Sequence, residues 1–248
     1  MTEVMEKFKG YQRLSAGTLK LIAIITMLID HFAAGVYLQL YLSGFLRQQG
    51  MADNAISIYN TCRNIGRFAF PIFCFLLVEG FYYTRSRWKY LRNLVIFAFA
   101  SEVPFDLLLM GDIGFKGQNV YFTLAIAMAT IWGIDTVKEK LQEKAFGKWF
   151  FQFVILIAGC LSAYMLNTDY SYYGIVLVLI FYLYRDNRFI ACVIGYLWFT
   201  FEPWCFPAFI ALLFYNGKRG IGLKYFFYTF YPAHLLLLYG LRVILIGN

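Results

Sequence analysis

The stretch that decides the fold is Leu19–Leu42, LKLIAIITMLIDHFAAGVYLQLYL. Only Lys20, Asp30 and His31 interrupt its apolar character with ionisable groups. Roughly 20 mostly apolar residues suffice for a helix to cross the ~30 Å hydrocarbon core of a bilayer. The stretch therefore predicts a membrane helix. Further apolar runs follow at Phe68–Tyr83, Leu91–Leu109, Val120–Val137, Phe150–Met165 and Tyr172–Tyr184. Phe189–Tyr215 holds two shorter runs broken at Glu202-Pro203-Trp204, and Tyr225–Ile246 closes the series. The predicted fold is all-α: a polytopic integral membrane helix bundle of about nine transmembrane helices. Tyr, Trp and snorkelling Lys or Arg extend the ends of the shorter runs.

Composition agrees. The 248 residues are 61% hydrophobic and 15% charged, against about 45–50% and 25% in ordinary globular chains. Phe occurs 27 times, Tyr 20 times and Pro 5 times. These values exclude a disordered chain, a collagen-like chain and a disulfide scaffold. A soluble core of this size cannot hide so much apolar surface. The first apolar run is too long for a secretory signal peptide and has no small-residue cleavage site. Met1–Thr18, with Lys7, Lys9 and Arg13, reads as a cytosolic amphipathic lead-in to a single membrane domain spanning 1–248. The five cysteines have no metal-like spacing and read as small apolar fillers.

The net charge of +8 fits either a nucleic-acid footprint or membrane topology, and its distribution decides. With nine crossings and the N-terminus inside, the inner segments hold Lys7, Lys9, Arg13, Lys20, Arg85, Arg87, Lys89, Arg92, Lys138, Lys140, Lys144, Lys148, Arg185, Arg188, Lys218, Arg219 and Lys224. That is 17 of the 22 Lys and Arg. The outer loops keep Arg47, Arg63, Arg67 and Lys116, and Arg242 falls in the last helix. This is the positive-inside pattern of a multi-pass membrane protein, not a nucleic-acid surface.

Ionisable groups at membrane depth are costly and usually functional. Here they are Asp30, His31, Glu79, Glu102, Asp106, Glu202 and His234, which include both histidines of the chain. Lys20 and His31 are eleven residues apart, about three helical turns, so they share a face with a rise of roughly 16 Å. Lys20 then marks the inner surface and His31 the mid-membrane. Glu102 and Asp106 are four apart around Pro104, share a face and need a cation; Arg63 and Arg67 are the expected partners. Asn119 opens the helix at Val120, either as its cap or as part of a donor-binding set. No spacing suits a metal.

The blocks LKLIAIITMLIDH (19–31), IGRFAFPIFCFLLVEGFYYTRSRWKYLRNL (65–94), EVPFDLL (102–108), NVYFTLA (119–125) and YNGKRGIGLKYFFYTFYPAHLLLL (215–238) resemble the TraX family. The resemblance implies a membrane-embedded acetyltransferase that uses cytosolic acetyl-CoA, as the family prototype does to acetylate the N-terminal amine of pilin subunits in conjugation. More distantly, the family is similar to transmembrane acyltransferases with an essential histidine in an early helix. There an Arg or Asn commonly stands eleven residues before that histidine; here the position is Lys20.

Together the two readings give an expected mechanism. Lys20, Arg85, Arg87 and Arg92 at the inner rim hold the phosphates of acetyl-CoA. His31 is the general base toward the acceptor, a peptide or glycan amine or hydroxyl. Asp30, or a carboxylate such as Glu79, orients the imidazole, and Arg67 meets the developing oxyanion. Glu102 and Asp106 position the acceptor, and His234 is a second candidate base. Two rivals stand beside this: a proton-coupled small-molecule transporter, since buried Asp, Glu and His also relay protons, and a non-catalytic pilus or secretion assembly factor. The acceptor and a homodimer are left open.

Overall fold

The computed structural model describes residues 12–114, 116–142, 145–222 and 224–247. Most of the expected N-terminal lead-in, with Lys7 and Lys9, and the inner-loop Lys144 lie outside the described residues. Among the described residues there is no strand; the elements are helices and two isolated bridges.

In chain order, α1 is Ala16–Leu42 and α2 the short turn Phe45–Gln48. Next come α3, Ala55–Gly66, and α4, Ala69–Tyr83. Helix α5 is Arg87–Met110, α6 Val120–Lys140 and α7 Ala145–Met165. The last four are α8, Ser171–Leu183; α9, Arg188–Trp198; α10, Phe206–Leu213; and α11, Lys224–Ile246. A 3₁₀ turn, Pro203–Cys205, leads into α10. Every apolar run of the sequence forms a helix. Six segments are long and apolar enough to cross a membrane: Ala16–Leu42, Ala55–Tyr83, Arg87–Met110, Val120–Lys140, Phe146–Met165 and Phe226–Ile246. The helices formed by the other three runs, α8, α9 and Pro203–Leu213, are shorter.

One expectation is corrected. The region before Phe68, read as an outer loop, carries α3, so the second segment begins at Ala55. Its sequence, AISIYNTCRNIG, is too polar to read as lipid-facing. Pro71 explains why α3 and α4 are separate helices. Its ring clashes with the carbonyl four residues back, that of Arg67. The chain answers with tighter bonds, Arg67 N–H to Asn64 O (3.3 Å) and Phe68 N–H to Ile65 O (3.2 Å).

The chain forms two compact units. The first comprises Met1–Phe73, Val103–Ile113 and Phe199–Asn248; the second comprises Cys74–Glu102 and Gly114–Trp198. Lipid tails are as apolar as leucine, so packing here rests on close contact and polar bonds, not on the hydrophobic effect alone. In the second unit, α6 and α7 approach through small residues. Gly159 lies against Thr130, and a Cβ at Gly133 would meet Ile155 at 3.2 Å. The opposite face of α7 exposes Phe146, Phe153, Leu161 and Tyr164, as a lipid-facing helix does.

In the first unit the start of α1 is clamped by the loop after α10. Ser15 caps α1 by accepting from Thr18 N–H (3.1 Å). The orphan N–H groups of Ala16 and Gly17 donate to the carbonyls of Lys218 (2.9 Å) and Arg219 (3.0 Å). Gly17 is required here, because a Cβ would fall 2.6 Å from the Ile221 nitrogen.

Two π-helical turns shape this unit: Ala33–Tyr37 in α1 and Asp106–Met110 at the end of α5. Such turns shift the bonding register and leave carbonyls to be satisfied. Gly35 and Leu108, one in each turn, pack directly on each other. Arg242 of α11 then donates to the carbonyls of Leu107 (2.9 Å), Leu108 (3.0 Å) and Gly35 (3.5 Å). One guanidinium fastens the two bulged helices to α11.

Candidate functional site

His31 and His234 meet in the first unit. Both are buried, and His31 Nδ1 lies 2.6 Å from His234 Nε2. The rings stack with centroids 4.9 Å apart. Tyr231 stands edge-on to both, and Phe230 stacks on His234 at 4.8 Å. The direction of the bond follows from a second contact: His234 Nδ1 is 2.8 Å from the carbonyl oxygen of Phe230. A carbonyl only accepts, so His234 Nδ1 carries the proton. In the neutral ring Nε2 is then an acceptor. His31 Nδ1 must therefore donate to it, and the lone pair of His31 falls on Nε2. The chain of bonds fixes both tautomers and leaves His31 with a basic nitrogen that the pair does not consume.

Beside the histidines is a charge cluster. Arg63 Nη1 donates to Asp30 Oδ2 at 2.5 Å, and Arg67 Nε lies 3.2 Å from Glu202 Oε2. The α1–α3 packing that brings this about needs Gly66, since a Cβ there would collide with the Asp30 side chain. Charges from Arg67 and Glu202 also reach Asp30, and that of Arg63 reaches His31. Asp30 thus serves Arg63, and the imidazole of His31 is oriented by His234. This corrects the expectation that Asp30 orients His31. It also places Arg63 and Arg67, expected against Glu102 and Asp106, on Asp30 and Glu202. Asp106 is buried in the same unit, at the start of the second π turn. Lys20 extends over the Phe227 ring, 5.2 Å from its centroid, near Arg219.

The remaining predicted residues belong to the second unit. Glu79 pairs with Arg185 at 3.4 Å. Arg87 binds Asp135 at 2.8 Å and lies 4.1 Å over the Phe81 ring, so its guanidinium is engaged inside the protein. Arg85 and Arg92 are exposed. Asn119 is the cap of α6: its Oδ1 accepts from Tyr121 N–H (3.0 Å), and its Nδ2 donates to Ala98 O (2.8 Å) and Glu102 Oε2 (2.5 Å). That amide locks α5 to α6 and gives Glu102 its neutral partner.

Arg63, Glu202 and Arg242 complete the first unit's polar framework, although sequence reasoning gave none of them a role in the chemistry. The i, i+4 spacing of Arg63 and Arg67 was the available signal for the first.

The chain matches the family described as TraX protein over residues 15–242. It is 31% identical over 263 residues to the probable fimbrial assembly protein FimC, serogroup H1, of Dichelobacter nodosus, covering 93% of this chain and 97% of the relative. No solved structure matches it. With the family matched across both histidines and nearly the whole chain, this multi-pass helical membrane protein belongs to the TraX family.

Proposed function

We propose that the chain is an acetyltransferase of the bacterial inner membrane that moves an acetyl group from cytosolic acetyl-CoA to an amine or hydroxyl acceptor. The observation that carries this reading is the directed His31–His234 bond. A buried histidine with its tautomer fixed by a partner, and its second nitrogen basic, is suited to general-base work. His31 Nε2 takes the acceptor's N–H or O–H proton as that atom attacks the thioester carbonyl carbon. The C–S bond breaks, and the proton returns from His31 to the departing CoA sulfur. The positive charge formed on His31 is shared through its Nδ1–H with His234, so two rings carry it. His234 is a positioning residue. Arg63 and Arg67, each paired with a carboxylate, are the cations of this cluster that can favour the developing oxyanion. Lys20 and its neighbour Arg219 supply positive charge for the donor's phosphates.

With this reading goes a topology of nine crossings with the N-terminus inside. Besides the skewed basic residues, one geometric point supports an odd count. Lys20 meets Phe227 and His31 meets His234, so α1 and α11 run in the same direction. Six alternating crossings would set them antiparallel.

The relative's name speaks of fimbrial assembly, which fits a pilin subunit as the acceptor and fits a non-catalytic role in pilus assembly equally well. The test uses the full chain in nanodiscs with acetyl-labelled acetyl-CoA and a peptide bearing a free, pilin-like N-terminus. Label should reach the peptide with release of CoA thiol, and His31→Ala should cut the rate roughly 10²–10⁴-fold without loss of fold. No transfer from acetyl-CoA, together with normal pilus assembly in His31→Ala cells, would establish the assembly-factor reading.

A further inference from the structure

The second unit contains a cavity of about 430 Å³ that the proposed chemistry leaves unused. Its size falls in the range of about 300–1,000 Å³ typical of small-ligand sites. Lys138 enters from the end of α6, Lys148, Trp149 and Gln152 from the first turns of α7, Tyr182 from the end of α8, and Arg185 from just beyond it.

The base of the cavity is built rather than incidental. The Tyr182 hydroxyl donates to Asp135 Oδ1 at 2.5 Å, while Arg87 takes Asp135 Oδ2 at 2.8 Å. Asp135 therefore has its own cation and does not neutralise the cavity. Arg185 is held 4.1 Å over the Tyr82 ring with Glu79 behind it at 3.4 Å. Gln152 is anchored through its Nε2, which donates to Ile134 O at 3.3 Å. Trp149 keeps 67% of its surface exposed, with Lys148 Nζ 5.7 Å from its ring. Three cations from three segments thus line the cavity beside an open indole; Arg185 already shares its charge with Glu79, and the carboxylate of Asp186 is also in the wall.

We propose that this cavity binds a phosphate-bearing ligand: Lys138, Lys148 and Arg185 meet the phosphate oxygens, and Trp149 covers the adjoining planar or apolar part. Cations on separate elements surround a tetrahedral anion from several sides, and an aromatic face supplies the second, charge-independent contact. The inference rests on the cavity's own lining; a nucleotide bound there would take the role given above to Lys20 and Arg219 in holding the donor's phosphates. The phosphate has two sources in reach, a phospholipid headgroup or a soluble nucleotide.

The test uses the full chain in phosphatidylcholine nanodiscs. One arm titrates adenosine 3′,5′-bisphosphate and follows tryptophan fluorescence. The other adds phosphatidylglycerol and follows retained lipid by native mass spectrometry. Saturable binding in the first arm identifies a nucleotide, and selective retention in the second identifies a lipid. In the arm that binds, Lys138→Gln/Lys148→Gln should weaken affinity roughly 100-fold, at about tenfold per charge-assisted contact. Lys140→Gln, the loss of one charge at the end of the same helix but outside the cavity, should change it less than about twofold, against about tenfold for Lys138→Gln alone. Binding in neither arm overturns the proposal, as does equal weakening by Lys140→Gln or no weakening by the double variant.

Discussion

Replacing Arg63 with alanine probes the packing that supports the site. Arg63 is the direct cation of Asp30, at 2.5 Å, and the second carboxylate oxygen, Oδ1, is buried with no hydrogen-bond partner among the described residues. Removing one member of a buried pair typically costs about 3–5 kcal/mol, because the other charge is left uncompensated. The Arg63 side chain is 26% exposed and that of Asp30 15%, so water recovers part of this. Arg67 and Glu202 also act on Asp30, with opposite signs. The expected loss is then about 2–3 kcal/mol, or roughly 30–150-fold in the unfolding equilibrium. SDS titration of the purified protein in detergent reads this directly. Asp30→Asn added to Arg63→Ala removes the stranded charge and should recover at least about 1 kcal/mol. If Arg63→Ala lies within about 0.5 kcal/mol of the parent, or the double variant is no more stable than Arg63→Ala, the pair is not a structural element of α1–α3 packing and the reasoning fails.

Three further outcomes follow from the same geometry. Gly66→Ala should destabilise by about 1–3 kcal/mol through overpacking against Asp30, and the same substitution made in an Asp30→Ala background should cost markedly less than in the parent; SDS titration of the four proteins of this cycle reads the difference. Arg242→Leu strands the carbonyls of Leu107, Leu108 and Gly35, at about 1–3 kcal/mol for a buried group left unmade, and should speed amide exchange at Ala33–Tyr37 and Asp106–Met110 before other segments. Asn119→Ala removes a cap worth about 1 kcal/mol and leaves Glu102 without its amide, so it should loosen the start of α6 in hydrogen exchange while leaving the His31–His234 bond intact.

The sequence was most legible where composition alone carries the signal. Runs such as Leu19–Leu42 and Val120–Val137 are helices because nothing else satisfies the backbone in lipid. The ionisable residues at depth also stood out by their cost. Their pairing did not. Arg63 and Arg67 looked suited to Glu102 and Asp106 because similar depth was the only guide. The choice of Asp30 and Glu202 instead is set by α1–α3 packing over Gly66, a contact without sequence periodicity. His31 and His234 are 203 residues apart, and only the fold shows that one ring directs the other. The π turns were equally hidden, since they depend on Arg242 rescuing carbonyls from two other helices. Helix α3 escaped notice because its polar face, read in isolation, has the composition of a loop.

The most direct test is the ring-nitrogen spectrum of the histidine pair. The chain contains only two histidines, so ¹⁵N-histidine labelling yields four ring signals, assigned with single His→Gln variants. The bond from His31 Nδ1 to His234 Nε2, and from His234 Nδ1 to the Phe230 carbonyl, predicts a proton on Nδ1 and none on Nε2 in both rings at neutral pH. It also predicts that His234→Gln alters the His31 Nδ1 signal. A proton on His31 Nε2, or a His31 spectrum indifferent to the loss of His234, would contradict the assignment of His31 as the poised base.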